Sequence, residues 1–169
     1  MARKVFVAAT GQNSGKTTTS LSLMYMARKK YERVGFIKPL GPTPAVASNG
    51  MVADKDAALM AEVFGLEDDL ELMSPVVLLP GDTQKILDGE LSGQDLERKI
   101  LAAIDELDRK NDFLIIEGAG HTGVGSVIGF SNARIARLVK APVLLVTGGG
   151  IGNVVDAAYM NMACLLYTS

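Results

Sequence analysis

Between residues 10 and 18 the chain reads Thr10-Gly11-Gln12-Asn13-Ser14-Gly15-Lys16-Thr17-Thr18, a run whose residue types can hold a polyphosphate. Gly15 lets the backbone wrap so that successive N–H groups point at phosphate oxygens. Lys16 supplies a mobile cation for the β- and γ-phosphates, and the Thr17 hydroxyl can ligate Mg²⁺. A helix opening near Lys16 would aim the partial positive charge of its N-terminus at the same place. Gly11, Gln12, Asn13, Ser14, Gly15, Lys16, Thr17 and Thr18 are therefore the expected nucleotide contacts, with ATP and Mg²⁺ as the ligands. The spacing departs from the usual phosphate loop at one point: five residues before Gly15 stands Thr10, not glycine. Gly11 follows it and supplies the permissive backbone that the turn needs.

The elements that must position this loop follow from hydrophobic pattern. Val5 to Ala9 is a short apolar run read as a buried strand, and Lys16 to Lys30 carries an apolar stripe at helical spacing. Val34 to Ile37 is a second strand, closed by Lys38-Pro39. Leu40 to Gly50 is rich in Pro, Gly, Ser and Asn and reads as a loop. Asp56 to Phe64 is helical, with Gly65 in the position of a C′ glycine. Val76 to Leu79 reads as strand-like, followed by a short helix. Gln94 to Lys110 is an amphipathic helix with Ser92 as its N-cap. Phe113 to Ile116 is a further buried strand, Asn132 to Val139 a helix, Pro142 to Val146 a strand, and a last helix begins around Asn153. This alternation is that of βαβ units: an α/β fold with a mostly parallel sheet flanked by helices, a three-layer P-loop NTPase sandwich. In such sheets ligands gather at the carboxyl ends of the strands. Thr10-Gly11, Lys38, Glu117 and Thr147 all stand at such ends, so four loops are expected to meet at one edge. A carboxylate placed directly after Leu114-Ile115-Ile116 is seldom there for solubility, and Glu117 suits an acidic metal partner.

Composition bounds the alternatives. The chain has 169 residues, 48% of them hydrophobic and 21% charged, enough for one domain with a real core. With a net charge of −2 there is no basic field to hold nucleic acid or anionic lipid, so neither is an expected partner. No apolar run approaches the roughly 18 residues of a membrane span, and the chain is read as cytoplasmic. A single cysteine, Cys164, offers no disulfide framework. The last six residues, Cys164 to Ser169, match one reading frame of a transposase end sequence used in building sequencing libraries. They are expected to be a non-native tail, leaving residues 1–163 as one incomplete nucleotide-binding domain. The alternative is an ordinary helix end, since Leu165 and Leu166 continue the apolar pattern.

Taken together, Gly15-Lys16-Thr17, Gly35-Phe36-Ile37-Lys38-Pro39, Asp56-Ala57-Ala58-Leu59 and Ile116-Glu117-Gly118-Ala119-Gly120 resemble the dethiobiotin synthetase-like branch of the P-loop ATPases. The resemblance covers nearly all of residues 4 to 162 and extends to cobyrinic acid diamide synthases and the amino-terminal module of long phosphotransacetylases. It implies roles residue by residue. Lys38 is similar to the family's second active-site lysine, catalytic together with Lys16. Thr17, Asp56 and Glu117 would face the metal, with Asp54 competing with Asp56 for that place and either able to cap a helix instead. Gly118 would join the nucleotide contacts. His121 reads as a loop histidine with a structural hydrogen bond.

The implied chemistry is transfer of the γ-phosphoryl group to a carboxylate-like oxygen of a small molecule, followed by attack of an amine. Such a transfer needs positioning and charge neutralisation more than a covalent nucleophile. Gly148-Gly149-Gly150 stands where true dethiobiotin synthetases carry a further lysine, and their adenine-reading segment would lie beyond residue 169. The resemblance therefore implies a class of reaction and not dethiobiotin synthesis itself. An ATP-sensing module of a larger protein is the second reading. A partitioning-type ATPase that dimerises across ATP is the third, and it lacks support because Gly11 stands where that class has an extra lysine; a homodimer remains among the open assembly states.

Overall fold

A computed structural model describes residues 1–167, and of Asp68 the backbone only. Its centre is a four-stranded sheet of β1 (Arg3–Ala9), β2 (Val34–Ile37), β5 (Phe113–Glu117) and β6 (Val143–Val146), ordered β2-β5-β1-β6. All three pairings are parallel, with Val7 opposite Glu117 and Phe36 opposite Ile115. Successive side chains of a strand point to opposite faces, and in β1, β2 and β5 both faces are covered. Phe6, Ala8, Leu114 and Ile116 pack with Ile100, Ile104, Leu107 and Ile135 on one side. Val7, Ile115 and Phe36 pack with Met24, Ala57, Met60, Leu70 and Met73 on the other. That double burial is why these strands are continuous apolar runs and not alternating ones.

The first layer of helices is α1 (Lys16–Ala27), α2 (Lys55–Phe64) and the single turn α3 (Leu70–Met73); the second is α5 (Gly93–Lys110) and α6 (Asn132–Leu138). The short α4 (Asp82–Leu87) precedes α5, and α7 (Ile151–Tyr167) follows β6. Ser92 caps α5 and Ser131 caps α6, each hydroxyl accepting a bond from a first-turn amide. Gly65 closes α2 in the left-handed conformation, as its place in the sequence predicts.

Several expectations need correction. Leu40 to Gly50 is not simply a loop: β3 (Pro44–Val46) lies there and pairs antiparallel with β4 (Val52–Asp54) as a small separate hairpin. Its strands are three residues long, too short for a period to register. The segment from Val76 to Leu79 is no strand but a single parallel bridge of Val77 to Gly41 between Pro75 and Pro80. The first helix ends at Ala27, followed by turns, and the last begins at Ile151. Residues 164–167 form the end of α7; Thr168 and Ser169 lie outside the described residues.

The last strand and helix are only half covered. Leu144 of β6 is 40% exposed, and α7 leaves Ile151, Val155, Tyr159, Met162 and Leu166 open to solvent. Among the described residues no helix is long and apolar enough to cross a membrane.

Candidate functional site

The loop after β1 is held from within. Thr10 N–H donates to the Val146 carbonyl at 3.0 Å, which ties the loop's start to β6. Ser14 Oγ donates to the Gly11 carbonyl at 3.1 Å. Asn13 (φ 55°) and Gly15 (φ 92°) both take left-handed backbone, which turns successive N–H groups toward one concavity. Lys16, at the first position of α1, is buried, and its Nζ donates to the carbonyls of Gly11 (3.4 Å) and Gly120 (3.0 Å). No carboxylate forms an ion pair with it among the described residues. Burial, and next the charge of Lys38, lower its pKa. It is a desolvated cation touching neutral carbonyls, and an anion arriving beside it would relieve that cost.

Lys38, directly after β2, is the electrostatic centre. Its Nζ lies 2.7 Å from Asp56 Oδ2 and 2.7 Å from Glu117 Oε1, with only 4% of its side chain exposed. Burial alone would lower its pKa, but Glu117 and Asp56 outweigh burial and raise it. Asp56 is also desolvated, yet the charge of Lys38, its hydrogen bond and a bond from Thr17 Oγ1 (3.2 Å) bring its pKa below the ordinary range. Glu117 is fully buried in the sheet. Its Oε2, with Ser20 Oγ, is one of two buried side-chain polar atoms that lack a hydrogen-bond partner among the described residues.

Asp54 and Asp56 are separated by their surroundings. Asp54 is buried at the N-cap of α2, where Oδ1 accepts from Asp56 N–H at 3.0 Å and Oδ2 from Thr43 N–H at 3.2 Å. Burial raises its pKa. Asp54 is the capping carboxylate, and Asp56 is the one that meets Thr17 and Lys38.

These groups border an open cleft of about 440 Å³. Of the residues singled out from sequence, Gln12, Asn13, Gly15, Lys16, Thr17, Thr18, Lys38 and Asp56 line it. Gly11 and Ser14 brace the loop by their mutual bond, and Glu117 stands behind Lys38. Gly118 is not on the cleft wall; Ala119 and Gly120 are. A Cβ at Gly118 would sit 2.7 Å from Asn132 Oδ1, so glycine there makes room for a neighbouring side chain. All four strand-end loops share one sheet edge, as the strands are parallel; three of them border the cleft, and Thr147 of the fourth lies off its wall. His121 is exposed and accepts a bond from Gly123 N–H at its Nδ1. Sequence reasoning did not single out Pro42, Thr43 and Lys55, which complete the wall. For Lys55 the available signal is its adjacency to Asp56; Pro42 and Thr43 lie in the segment from Gly41 to Gly50, which the resemblance places near a substrate.

Mg²⁺ bound with a nucleotide takes one or two carboxylates and phosphate oxygens more often than an all-protein cage. Among the described residues no three Asp, Glu, His or Cys side chains are placed to hold a metal ion by themselves, so the smaller donor set is the one to test. Thr17 Oγ1, Asp56 and the unpartnered Oε2 of Glu117 do match the smaller donor set. Charge points the same way: Lys16, Lys38 and Lys55 against Asp56 and Glu117 leave one net positive charge at the cleft, so most of a polyphosphate's charge is left to be met by a further cation.

Comparison with known proteins agrees with this geometry. The model of the AAA domain family matches residues 3–167. An ATP-dependent dethiobiotin synthetase of Methanocaldococcus jannaschii is 29% identical over 154 residues, covering 89% of this chain and 68% of that protein. A cobyric acid synthase of Lachnoclostridium phytofermentans is 25% identical, covering 98% of this chain and 36% of that protein. This chain thus spans about two thirds of the first relative and about a third of the second. Among solved structures, the crystal structure of the chimerical protein CapA2B2 matches 99% of this chain and 72% of its own, with a TM-score of 0.59 at 13% identity. At that identity the likeness is one of fold.

Proposed function

The chain belongs to the AAA domain family, within its dethiobiotin synthetase-like P-loop ATPases, and from that premise we propose that it binds Mg-ATP and activates a carboxylate or carbamate by phosphoryl transfer. The observation that carries this reading is Lys38, a buried lysine beside the phosphate loop that bridges Asp56 of α2 and Glu117 at the end of β5. Maintaining a buried ion cluster is expensive, and its place beside Lys16 and Thr17 gives the expense a purpose. Backbone amides from Gly11 to Thr18 cradle the phosphates, and Lys16 neutralises the β- and γ-groups. Thr17, Asp56 and Glu117 would hold Mg²⁺, which would supply charge neutralisation at the phosphates. Lys38 orients the acceptor oxygen against the γ-phosphoryl group. Pro42, Thr43 and Lys55 form the wall on which a small-molecule acceptor rests.

Titration with ATP, with and without Mg²⁺, tests the shared core. Binding that needs Mg²⁺ is expected; no binding in either condition overturns the reading. A second reading, an ATP-responsive unit of a larger protein, is favoured by the cobyric acid synthase match, in which this length is about a third of the whole. Lys38→Ala separates the two: an enzyme loses turnover, whereas a sensor keeps its nucleotide response.

A further inference from the structure

We propose that Asn132 is a positioning residue of the phosphate site, acting on Lys16 through the carbonyl of Gly120; the inference rests on the nucleotide-binding reading above. Asn132 is buried at the start of α6 and does not border the cleft. Its Nδ2 donates to the carbonyls of Ala119 (2.5 Å) and His121 (2.6 Å), and its Oδ1 accepts from Ala119 N–H (3.1 Å). Both amide donors and one acceptor site are thus spent on three backbone groups of one short loop.

That loop has no regular structure after β5 ends at Glu117. Its buried backbone groups have no ladder to join and need partners from elsewhere. Asn132 takes the carbonyls on either side of Gly120, and the carbonyl of Gly120 itself accepts from Lys16 Nζ at 3.0 Å. Consecutive carbonyls are shared alternately between the asparagine and the lysine, so the asparagine's grip fixes where the Gly120 carbonyl points. The grip is itself anchored. Asn132 N–H donates to the Val124 carbonyl at 3.2 Å, and Ser131 caps the helix on which Asn132 sits. Gly118 supplies the space, since a Cβ there would collide with Asn132 Oδ1.

A second asparagine provides the control. Asn161 of α7 holds the same loop one residue later, its Oδ1 accepting from the N–H (3.1 Å) and hydroxyl (2.7 Å) of Thr122. It is buried too, but among the described residues Lys16 Nζ bonds to the carbonyls of Gly11 and Gly120 and not to its partner Thr122. Loss of Asn161 therefore reports what loosening the loop costs in general.

The experiment compares Asn132→Asp, Gly118→Ala and Asn161→Ala in the full chain. Asn132→Asp keeps the bond from Ala119 N–H but sets an oxygen against two carbonyls; Gly118→Ala displaces Asn132 without changing it. Two readouts are taken. Without nucleotide, the ¹³Cε resonance of Lys16, assigned by Lys16→Arg, is expected to shift in Asn132→Asp and Gly118→Ala but not in Asn161→Ala. In titrations, Mg-ATP is expected to bind about 10- to 100-fold more weakly to the first two, the loss of a charge-assisted contact. Asn161→Ala, at a comparable fall in Tm, should stay within about threefold of wild type. In a Lys16→Ala background, Asn132→Asp should add little further loss. An unmoved Lys16 resonance, or affinities that follow Tm alike in all variants, overturns the role of Asn132. Failure of wild type to bind Mg-ATP overturns the nucleotide reading separately, because the Lys16 resonance needs no nucleotide.

Discussion

Asp54 accepts the backbone N–H of Asp56 at 3.0 Å, and this bond between near neighbours assigns the two carboxylates to different tasks. One holds the start of α2, and the other, presented by that turn, meets Lys38 and Thr17. Asp54→Ala should therefore lower stability by about 1–3 kcal/mol, since it removes a cap and leaves Thr43 N–H unpartnered. Asp56→Ala should instead weaken Mg²⁺-dependent nucleotide binding. Thermal melts and titrations on both variants check the split; the same profile for both would show that one task is shared.

Lys16→Ala should weaken Mg-ATP binding by about 1–3 kcal/mol, as expected for loss of a charge-assisted hydrogen bond. The fold should survive, because Lys16 touches carbonyls and makes no ion pair among the described residues. Calorimetric titration beside a urea unfolding curve measures both halves.

Lys38→Met removes the only cation bridging Asp56 and Glu117 among the described residues. Breaking a buried pair by deleting one partner costs about 3–5 kcal/mol, so the variant should unfold at lower urea. A divalent cation should then restore stability, and Mn²⁺ followed by electron paramagnetic resonance should bind more tightly than to wild type without nucleotide. Equal Mn²⁺ affinity in the two proteins would count against these carboxylates as the metal's donors.

The cluster also sets a pH dependence. The folded-state pKa of Asp56 is depressed, so its contribution is present above the unfolded value of 3.8 and is lost as pH falls through the lower folded value. Lys38 has a raised pKa; its contribution is complete below 10.5 and is lost as pH rises through the folded value. Asp54 opposes Asp56, because its raised pKa means stability falls as pH climbs from 3.8 to the folded value. Urea unfolding between pH 2 and 5 should show a shallower acid loss in Asp56→Asn than in wild type, and a steeper one in Asp54→Asn.

The outward face of α7 carries Ile151, Val155, Tyr159, Met162 and Leu166, with Tyr159 76% exposed. A helix apolar on all sides normally has neighbours on all sides. The 169-residue chain should self-associate with rising concentration, and Tyr159→Lys should reduce this while changing stability by no more than about 0.5 kcal/mol. Sedimentation velocity at several concentrations is the check.

What sequence made legible was local. The phosphate loop shows itself through residue type and spacing, and the four central strands through apolar runs that demand cover on both sides. The hairpin of β3 and β4 left no trace, because three-residue strands cannot establish a period. Asp54 and Asp56 both suit a helix start, and only the position of Lys38, arriving from a different strand, tells them apart. Asn132 was invisible as a functional candidate because its partners are backbone groups 11 and 13 residues away. The space that Gly118 leaves beside Asn132 cannot be seen along the chain. In α7 apolar residues on both sides blur the helical period, which is why its start was placed two residues late.

The strand order has a consequence for how the protein is made. β1 and β2 are consecutive in the chain yet are not neighbours, because β5 lies between them. Lys16 and Lys38 both leave the ribosome well before the strand that binds their two segments together, which begins at Phe113. Until then the nascent chain can form helices and the small hairpin but no central sheet, and its apolar strands wait without partners. Pairings of such long sequence separation fold slowly and stay open to misassociation in the interval. Chaperone dependence during synthesis should accordingly fall off once β5 has emerged, rather than when the phosphate loop is complete.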